Sequence, residues 1–174
     1  RWVVRNVFAY LDTHPEDTAC YALNLSGRSL SDPATADFIL DEIAQYHFDP
    51  ARISFEVTET AAIDSLDACE RLILTLRAHG ILFALDDFGR GQSSFGYLKR
   101  LPVASLKIDG EFVRGMDVDR EKLAIVKAMH TLAHELGKQT VAEQVETEAE
   151  LACLRALGVD FVQGYLLARP MPLV

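Results

Sequence analysis

Six short apolar runs rich in β-branched and aromatic residues alternate along this chain with stretches of helical period. Strand–helix units in unbroken succession imply a parallel sheet, because each strand can return beside its neighbour only through a crossover. The expected strands are Ala19 to Leu25, Arg52 to Val57, Ile81 to Leu85, Val103 to Ile108, Gln139 to Ala142 and Phe161 to Gln163. Helices are expected over the first 13 or so residues, from Ser31-Asp32-Pro33 to about Tyr46, from Ser65 to Ala78, from about Arg120 to Leu136 and from Thr147 to Leu157. A further short helix is expected to end near Lys99. Ser31 or Asp32 suits the N-cap of the second helix, with Pro33 in its first turn, and Gly80 suits a C-terminal stop.

A length of 174 residues is read as one domain, and 49% hydrophobic residues exclude a disordered chain. Seventeen basic residues against 26 acidic ones give a net charge of -9, which leaves no basic surface for a nucleic acid, so no DNA partner is expected. The objection to phosphate ligands weakens where carboxylates hold divalent cations, because the ions then become the largest local positive charges. Cys20, Cys69 and Cys153 are odd in number and lack C-x-x-C spacing, which argues against a zinc or disulfide framework and for buried thiols in a reducing compartment. No apolar run reaches the ~18 residues of a membrane span, so the domain is expected to be soluble and cytoplasmic, whether or not its parent protein is membrane-anchored. Opening on Arg1-Trp2 without an initiator Met or a signal peptide, the chain reads as cut from a longer polypeptide.

The polar residues at the strand ends carry the functional argument. Asn24, Glu56, the pair Asp86-Asp87, Lys107, Glu143 and Gln163 occupy the C-terminal ends of the six successive expected strands. Taken singly each has an ordinary explanation: a turn former or N-cap for Asn24 or either Asp, a solvated side chain for Lys107, a helix start for Glu143. Jointly they point to a site. A (β/α)8 barrel converges its strand C-termini on one rim, whereas an open six-strand row at ~4.8 Å spacing would spread them over roughly 24 Å. Four carboxylates and an amide oxygen form a hard ligand set suited to Mg²⁺ or Mn²⁺. The adjacent Asp86 and Asp87 could serve two ions, one carboxylate bridging both, as an in-line phosphoryl displacement requires.

Other motifs fail on their surroundings. Asp87-Phe88-Gly89 has none of the glycine loop, V-A-I-K lysine or H-R-D loop of a kinase. Gly89 to Ser94 lacks the P-loop lysine and spacing, and is read as a rim loop. His130 and His134 stand one helical turn apart without the Glu of H-E-x-x-H, so an ordinary helix surface is expected there.

The segments LNLSGRSL (Leu23 to Leu30), FEVTET (Phe55 to Thr60), ALDDFGRGQSSFGYLKRLPVASLKIDGEFV (Ala84 to Val113), TVAEQVET (Thr140 to Thr147) and QGYLLARPMP (Gln163 to Pro172) together resemble the EAL domain family, in order and over essentially the whole chain. The resemblance implies a modified TIM (β/α)8 barrel, incomplete over residues 1–174, where the first strand region and the last helix are missing. It implies hydrolysis of cyclic di-GMP to linear pGpG with two Mg²⁺ or Mn²⁺ ions. By the same resemblance Asn24, Glu56 and Asp86 fall on ligands of the first metal, and Asp86, Asp87 and Glu143 on those around the second. Glu143, Lys107 and Asp87 fall on catalytic positions, Glu143 also as a general base and Lys107 near the attacking water. Gln163 and Pro170 fall beside the substrate, and Glu59 on a glutamate that holds the loop after Asp87. That loop and the helix after it imply a homodimer interface, and fusion to GGDEF or sensor domains is common in the family.

Three positions depart from the family pattern: Arg90 for Thr and Gln92 for Tyr in DDFGRGQSS, and Gln144 for Gly in AEQVET. The tripeptide Glu-Ala-Leu, whose glutamate is a metal ligand, does not occur in the 174 residues and is expected upstream of Arg1. A catalytically inactive receptor of cyclic di-GMP is the competing reading. The intact metal positions favour the enzyme, since such receptors usually have eroded ones.

Overall fold

The computed structural model of the chain describes residues 1–91 and 95–173. Gln92 and the serines after it, within the loop singled out above, lie outside the described residues. The chain forms two compact units, Arg1–Leu85 with Ser93–Ala104, and Asp86–Gln92 with Ser105–Val174.

In the first unit, α1 (Trp2–Thr13) buries Val4, Phe8 and Leu11, a spacing of four and three that keeps one face of a helix inward. Strand β1 (Tyr21–Asn24) is followed by the single-turn helix α2 (Gly27–Ser31), whose first turn is closed by Ser26 Oγ accepting from the Ser29 N–H at 3.3 Å. In α3 (Ala34–Ile43), the Asp32 carboxylate accepts from the Ala34 N–H at 2.9 Å, so the expected helix begins later and ends earlier than its sequence pattern. Strand β2 (Ile53–Thr58) buries Ile53, Phe55, Glu56 and Val57, near-continuous burial that marks a parallel strand covered on both faces. It pairs in parallel with β1, and the register sets Asn24 opposite Glu56. Glu56 therefore lies two residues inside its strand rather than at its end. Thr58 caps α4 (Glu59–Asp64), a second short helix absent from the sequence pattern, and α5 (Leu66–Arg77) follows. Phe8, Leu11, Ile39, Ile53, Phe55, Ile73, Leu76 and Phe83 make the core, each at most 1% exposed. At roughly 1.5–3 kcal/mol per buried large side chain, this core is the main stabilising term of the unit.

Strand β3 (Leu82–Phe88) runs three residues further than expected, through both aspartates, and crosses from the first unit into the second. The second unit continues with β4 (Ser105–Ile108), the one-turn α6 (Gly110–Val113), α7 (Arg120–Glu135), β5 (Gln139–Ala142), α8 (Glu148–Leu157) and β6 (Phe161–Val162). Asp119 caps α7 through the Glu121 and Lys122 N–H groups. Thr147 and Glu150 cap α8 reciprocally, and Gly158 ends it in the left-handed conformation. The Glu150 carboxyl is buried, which raises its pKa, but N–H groups of Gly115, Glu146 and Thr147 outweigh that and hold it below the usual carboxylate range.

Strands β4, β5 and β6 are parallel neighbours, and the six strands follow sequence order in the sheet. A doubly wound sheet reverses its order at a switch point; an unreversed order with right-handed crossovers puts every helix on one face, which is the (β/α)8 arrangement. The fold class is thus that of an incomplete TIM-type barrel. Of the three thiols expected to be buried, only Cys69 is so; Cys153 is half-buried and Cys20 is exposed, because Cys20 precedes β1 instead of lying in it.

At Gly164, directly after the predicted site residue Gln163, an added Cβ would overlap the backbone N and O of Val145. Both atoms are fixed, since Val145 N–H donates to the Gln163 carbonyl at 3.0 Å and its own carbonyl accepts from Leu166. Gly164→Ala is expected to destabilise the protein by about 1–3 kcal/mol, read as a lowered midpoint in urea denaturation; an unchanged midpoint would contradict this close approach.

Candidate active site

The centre of the second unit's polar cluster is Lys107. It lies in β4, 4% exposed, with its Nζ 3.0 Å from Asp86 Oδ1 and 2.8 Å from Glu143 Oε1. The geometry follows from the register. Lys107 is level with Val141 of β5, and Glu143 lies two residues beyond Val141, on the same face of the sheet. The Glu143 N–H donates to the Ile108 carbonyl at 3.1 Å, which prolongs the strand pairing past β5 and fixes where the carboxylate starts. On the next strand the Gln163 N–H donates to the Ala142 carbonyl at 2.8 Å, so Gln163 follows β6 as Glu143 follows β5.

Asp87 completes the cluster: one carboxylate oxygen each from Asp86, Asp87 and Glu143 lie within 4.8 Å of one another. Its backbone is left-handed at φ 55°, a conformation Asp tolerates better than most residues but which still stores strain. Gly89, two residues on, has φ 104°, and a Cβ there would run into Met129 and Phe112, so the chain must turn sharply after the aspartates. Burial, a hydrogen bond shared with Asp109 and the charge of Asp86 push the Asp87 carboxyl above its usual range, against the pull of Arg90.

Asp109 was not among the sequence candidates. It is 4% exposed and accepts from the Glu111 N–H at 2.7 Å as N-cap of α6, a role that Asp-Gly-Glu after a strand could have signalled. Arg90 Nη1 lies 3.4 Å from Asp109 Oδ2 and 3.9 Å from Asp87 Oδ1, and its Nε lies 3.9 Å from Glu111. The first family departure thus adds a cation at the edge of the acidic cluster. The third also has a structural reading: Gln144 has φ 55°, where glycine is unstrained, and its side chain lies over Gly110, leaving no room for a Cβ there. Beside it, Glu143, Gln163, Arg114 and Tyr165 line a recess of about 330 Å³. A guanidinium and an aromatic ring at such a recess suit a phosphate and a planar base.

In the first unit Asn24 and Glu56 are level on β1 and β2, Asn24 exposed and Glu56 buried. Glu59, 2% exposed, accepts from the Tyr97 hydroxyl at 2.5 Å, and Tyr97 belongs to the 3₁₀ turn Phe95–Lys99. Pro170 is exposed in the C-terminal tail.

The second-unit donors fit divalent cations. All are carboxylate oxygens, and the buried Asp86 Oδ1 is ion-paired to Lys107 without an aligned hydrogen bond, so it retains capacity for a further cation. Three mutually close carboxylates share one lysine, and burial, with the Asp109 hydrogen bond and the Asp86 charge added, raises the Asp87 carboxyl.

The family model of the EAL domain matches residues 1–170. Cyclic di-GMP phosphodiesterase PdeB of Shewanella oneidensis is 37% identical over 173 residues, 98% of this chain and 20% of that protein. Bifunctional diguanylate cyclase/cyclic di-GMP phosphodiesterase MucR of Pseudomonas aeruginosa is 40% identical over 151 residues, 87% of this chain and 22% of that one. The chain therefore spans about a fifth of the length of these relatives. The solved structure of the PaMucR phosphodiesterase in its c-di-GMP complex superposes with a TM-score of 0.91 at 36% identity, over 98% of this chain and 70% of that one. The calcium/cy-diGMP complex of Klebsiella pneumoniae BlrP1 gives 0.87 at 32% identity, over 97% and 43%. With nearly its full length matched by the family and the same fold in relatives of this identity, the chain belongs to the EAL domain family.

Proposed function

We propose that this chain is the greater part of a domain that hydrolyses cyclic di-GMP, opening one phosphodiester to give linear pGpG. The observation that carries the reading is the buried Lys107 held between Asp86 and Glu143 with Asp87 alongside. Such an array is costly as structure alone and suits a site built for cations and phosphate. The names of PdeB and MucR and the ligand of the PaMucR complex supply the substrate.

In this reading Asn24, Glu56 and Asp86 would hold one Mg²⁺ or Mn²⁺, and Asp86, Asp87 and Glu143 a second. The EAL glutamate, which the 174 residues do not contain, would come from N-terminal of Arg1. Two such ions, when bound, stabilise charge on the phosphoryl oxygens and favour ionisation of water at neutral pH. Lys107 donates toward the attacking water and keeps the acidic cluster compact. Glu143, at 2.8 Å from that ammonium, accepts the proton of the water and is oriented for it by the Lys107 contact. Gln163 and Pro170 lie beside the substrate, with Gln163 donating to a phosphate oxygen. Glu59, through Tyr97, steadies the segment after Asp87, which with the helix that follows makes a homodimer contact. MucR is named as carrying diguanylate cyclase as well, which supports a parent protein with GGDEF or sensor modules around this domain.

Glu143→Gln in the intact protein is expected to lower the rate of pGpG formation by several kcal/mol of transition-state stabilisation, roughly 10²–10³-fold, with binding of cyclic di-GMP retained. Chromatography of the nucleotides and calorimetric titration measure the two. A parent protein that binds cyclic di-GMP in Mg²⁺ or Mn²⁺ and leaves it intact would replace this reading with that of a receptor.

Lys107→Met separates the charge-holding role from chemistry. Removing one partner from a buried ion cluster costs about 3–5 kcal/mol, so a clear loss of stability is expected in EDTA. Saturating Mg²⁺ should restore part of it, because the ions supply the missing positive charge. Equal losses with and without Mg²⁺ in urea denaturation would show that the carboxylates do not hold the metal.

A further inference from the structure

The second unit carries another cluster of ligand-type side chains, toward the N-terminal ends of β5 and β6. His130 and His134 lie one turn apart near the C-terminus of α7, Thr140 is near the start of β5, and Asp160 directly precedes β6. The expected helix surface holds for His134, which is exposed, but not for His130, which is 9% exposed and lies on the buried stripe Val126, Met129, His130, Ala133. We propose that His130, His134 and Asp160 form a second metal site, selective for Zn²⁺ or a similar imidazole-binding ion and distinct from the carboxylate site.

The hydrogen bonds prepare the donors. The Asp160 Oδ2 accepts from the Thr140 N–H at 2.8 Å and from the Thr140 hydroxyl at 2.9 Å. A carboxylate can only accept, so the one hydroxyl hydrogen of Thr140 is committed to Asp160. Thr140 Oγ1 must then act as acceptor toward His130 Nδ1, 2.8 Å away, and that nitrogen carries the imidazole hydrogen. A neutral His130 in this tautomer presents a bare lone pair at Nε2. A hydrogen bond from the far ring nitrogen commonly orients metal-binding histidines in this way. Burial and the neighbouring His134 keep His130 from protonating, against the opposing pull of Asp160. Burial works against ionisation of Asp160, yet the His134 and Thr140 hydrogen bonds hold its carboxyl down at about 2.

The ligand positions are close to what a tetrahedral ion needs. One donor atom each from His130, His134 and Asp160 lie within 4.8 Å of one another, and His134 Nε2 is 2.8 Å from Asp160 Oδ2. The His134 side chain is 46% exposed, so its ring can move its hydrogen to Nδ1 and turn Nε2 toward an ion without disturbing the core. Two imidazoles and one carboxylate leave the fourth position to water. Imidazole nitrogen disfavours Mg²⁺, which the all-oxygen cluster suits. Thr140 stands three residues before Glu143, roughly 10 Å along a strand, so an ion here would not enter phosphodiester chemistry. It would tie α7 to β5 and to the start of β6.

The test is a Co²⁺ titration of the intact protein in saturating Mg²⁺, followed through the visible bands of low-symmetry Co²⁺ and reversed by one equivalent of Zn²⁺. The spectrum is expected in the wild type and in Asp87→Asn, and lost in His130→Gln, whose circular dichroism and cyclic di-GMP hydrolysis stay unchanged. Thr140→Val, which frees the His130 tautomer, should weaken Co²⁺ roughly 10–100-fold. No Co²⁺ spectrum in the wild type, or an equal one in a folded His130→Gln, would overturn the proposal.

Discussion

An ammonium group 4% exposed between two carboxylates sets the terms for the second unit. Asp86, Asp87, Asp109 and Glu143 sit on or directly after three neighbouring strands, and parallel pairing brings their backbones to fixed positions whatever their charges. Repulsion among them must be met within reach of the strand ends. Lys107 meets part of it, with Arg90 at the exposed edge and backbone N–H groups for Asp109. Burial first, then the hydrogen bond shared with Asp109 and the charge of Asp86, raise the Asp87 carboxyl, and Asp86 Oδ1 has no aligned donor. A fold selected for stability alone would place apolar side chains here; the retained charge is the reason to look for cations and phosphate.

Much of this was legible from residue types. Strand interiors such as Ile-Ser-Phe-Glu-Val and Ser-Leu-Lys-Ile read as buried strands because both faces are covered, and the polar residues stood out against that background. The limits were just as physical. The reach of β3 through Asp86 and Asp87 was hidden because aspartate is depleted in strand interiors; here Asp86 is ion-paired to Lys107 of the next strand. Helices α2 and α4 are too short for a periodic signal, yet Ser26 and Thr58 are recognisable caps. By residue type His130 reads as surface, whereas its position on the helix buries it. Val126, Met129 and Ala133 already marked a stripe at helical spacing that includes it.

The departures from the family pattern gain physical content from the backbone. Position 144 needs a left-handed residue, so Gln144 gives up about 1 kcal/mol of conformational preference that glycine would not. Its side chain sits over Gly110, in the turn that starts α6 and next to Asp109. Arg90 approaches the same Asp109 from the other direction. Arg90 thus reaches the Asp109 carboxylate, which shares a hydrogen bond with Asp87, while Gln144 packs over the glycine that follows it.

Strand β5 has contrasting chemistry at its two ends. Toward the C-terminal ends of β3, β4 and β5, oxygen donors crowd without enough positive charge, a set suited to hard divalent ions. Toward the N-terminal ends of β5 and β6, Asp160 is already satisfied by Thr140 and His134, and the donor left over is an imidazole nitrogen. Separation by a strand length, together with this difference in donor softness, suits the two ends to different ions. A short parallel strand such as β5 can therefore serve chemistry at one end and cohesion at the other, because only its backbone pairing is common to both.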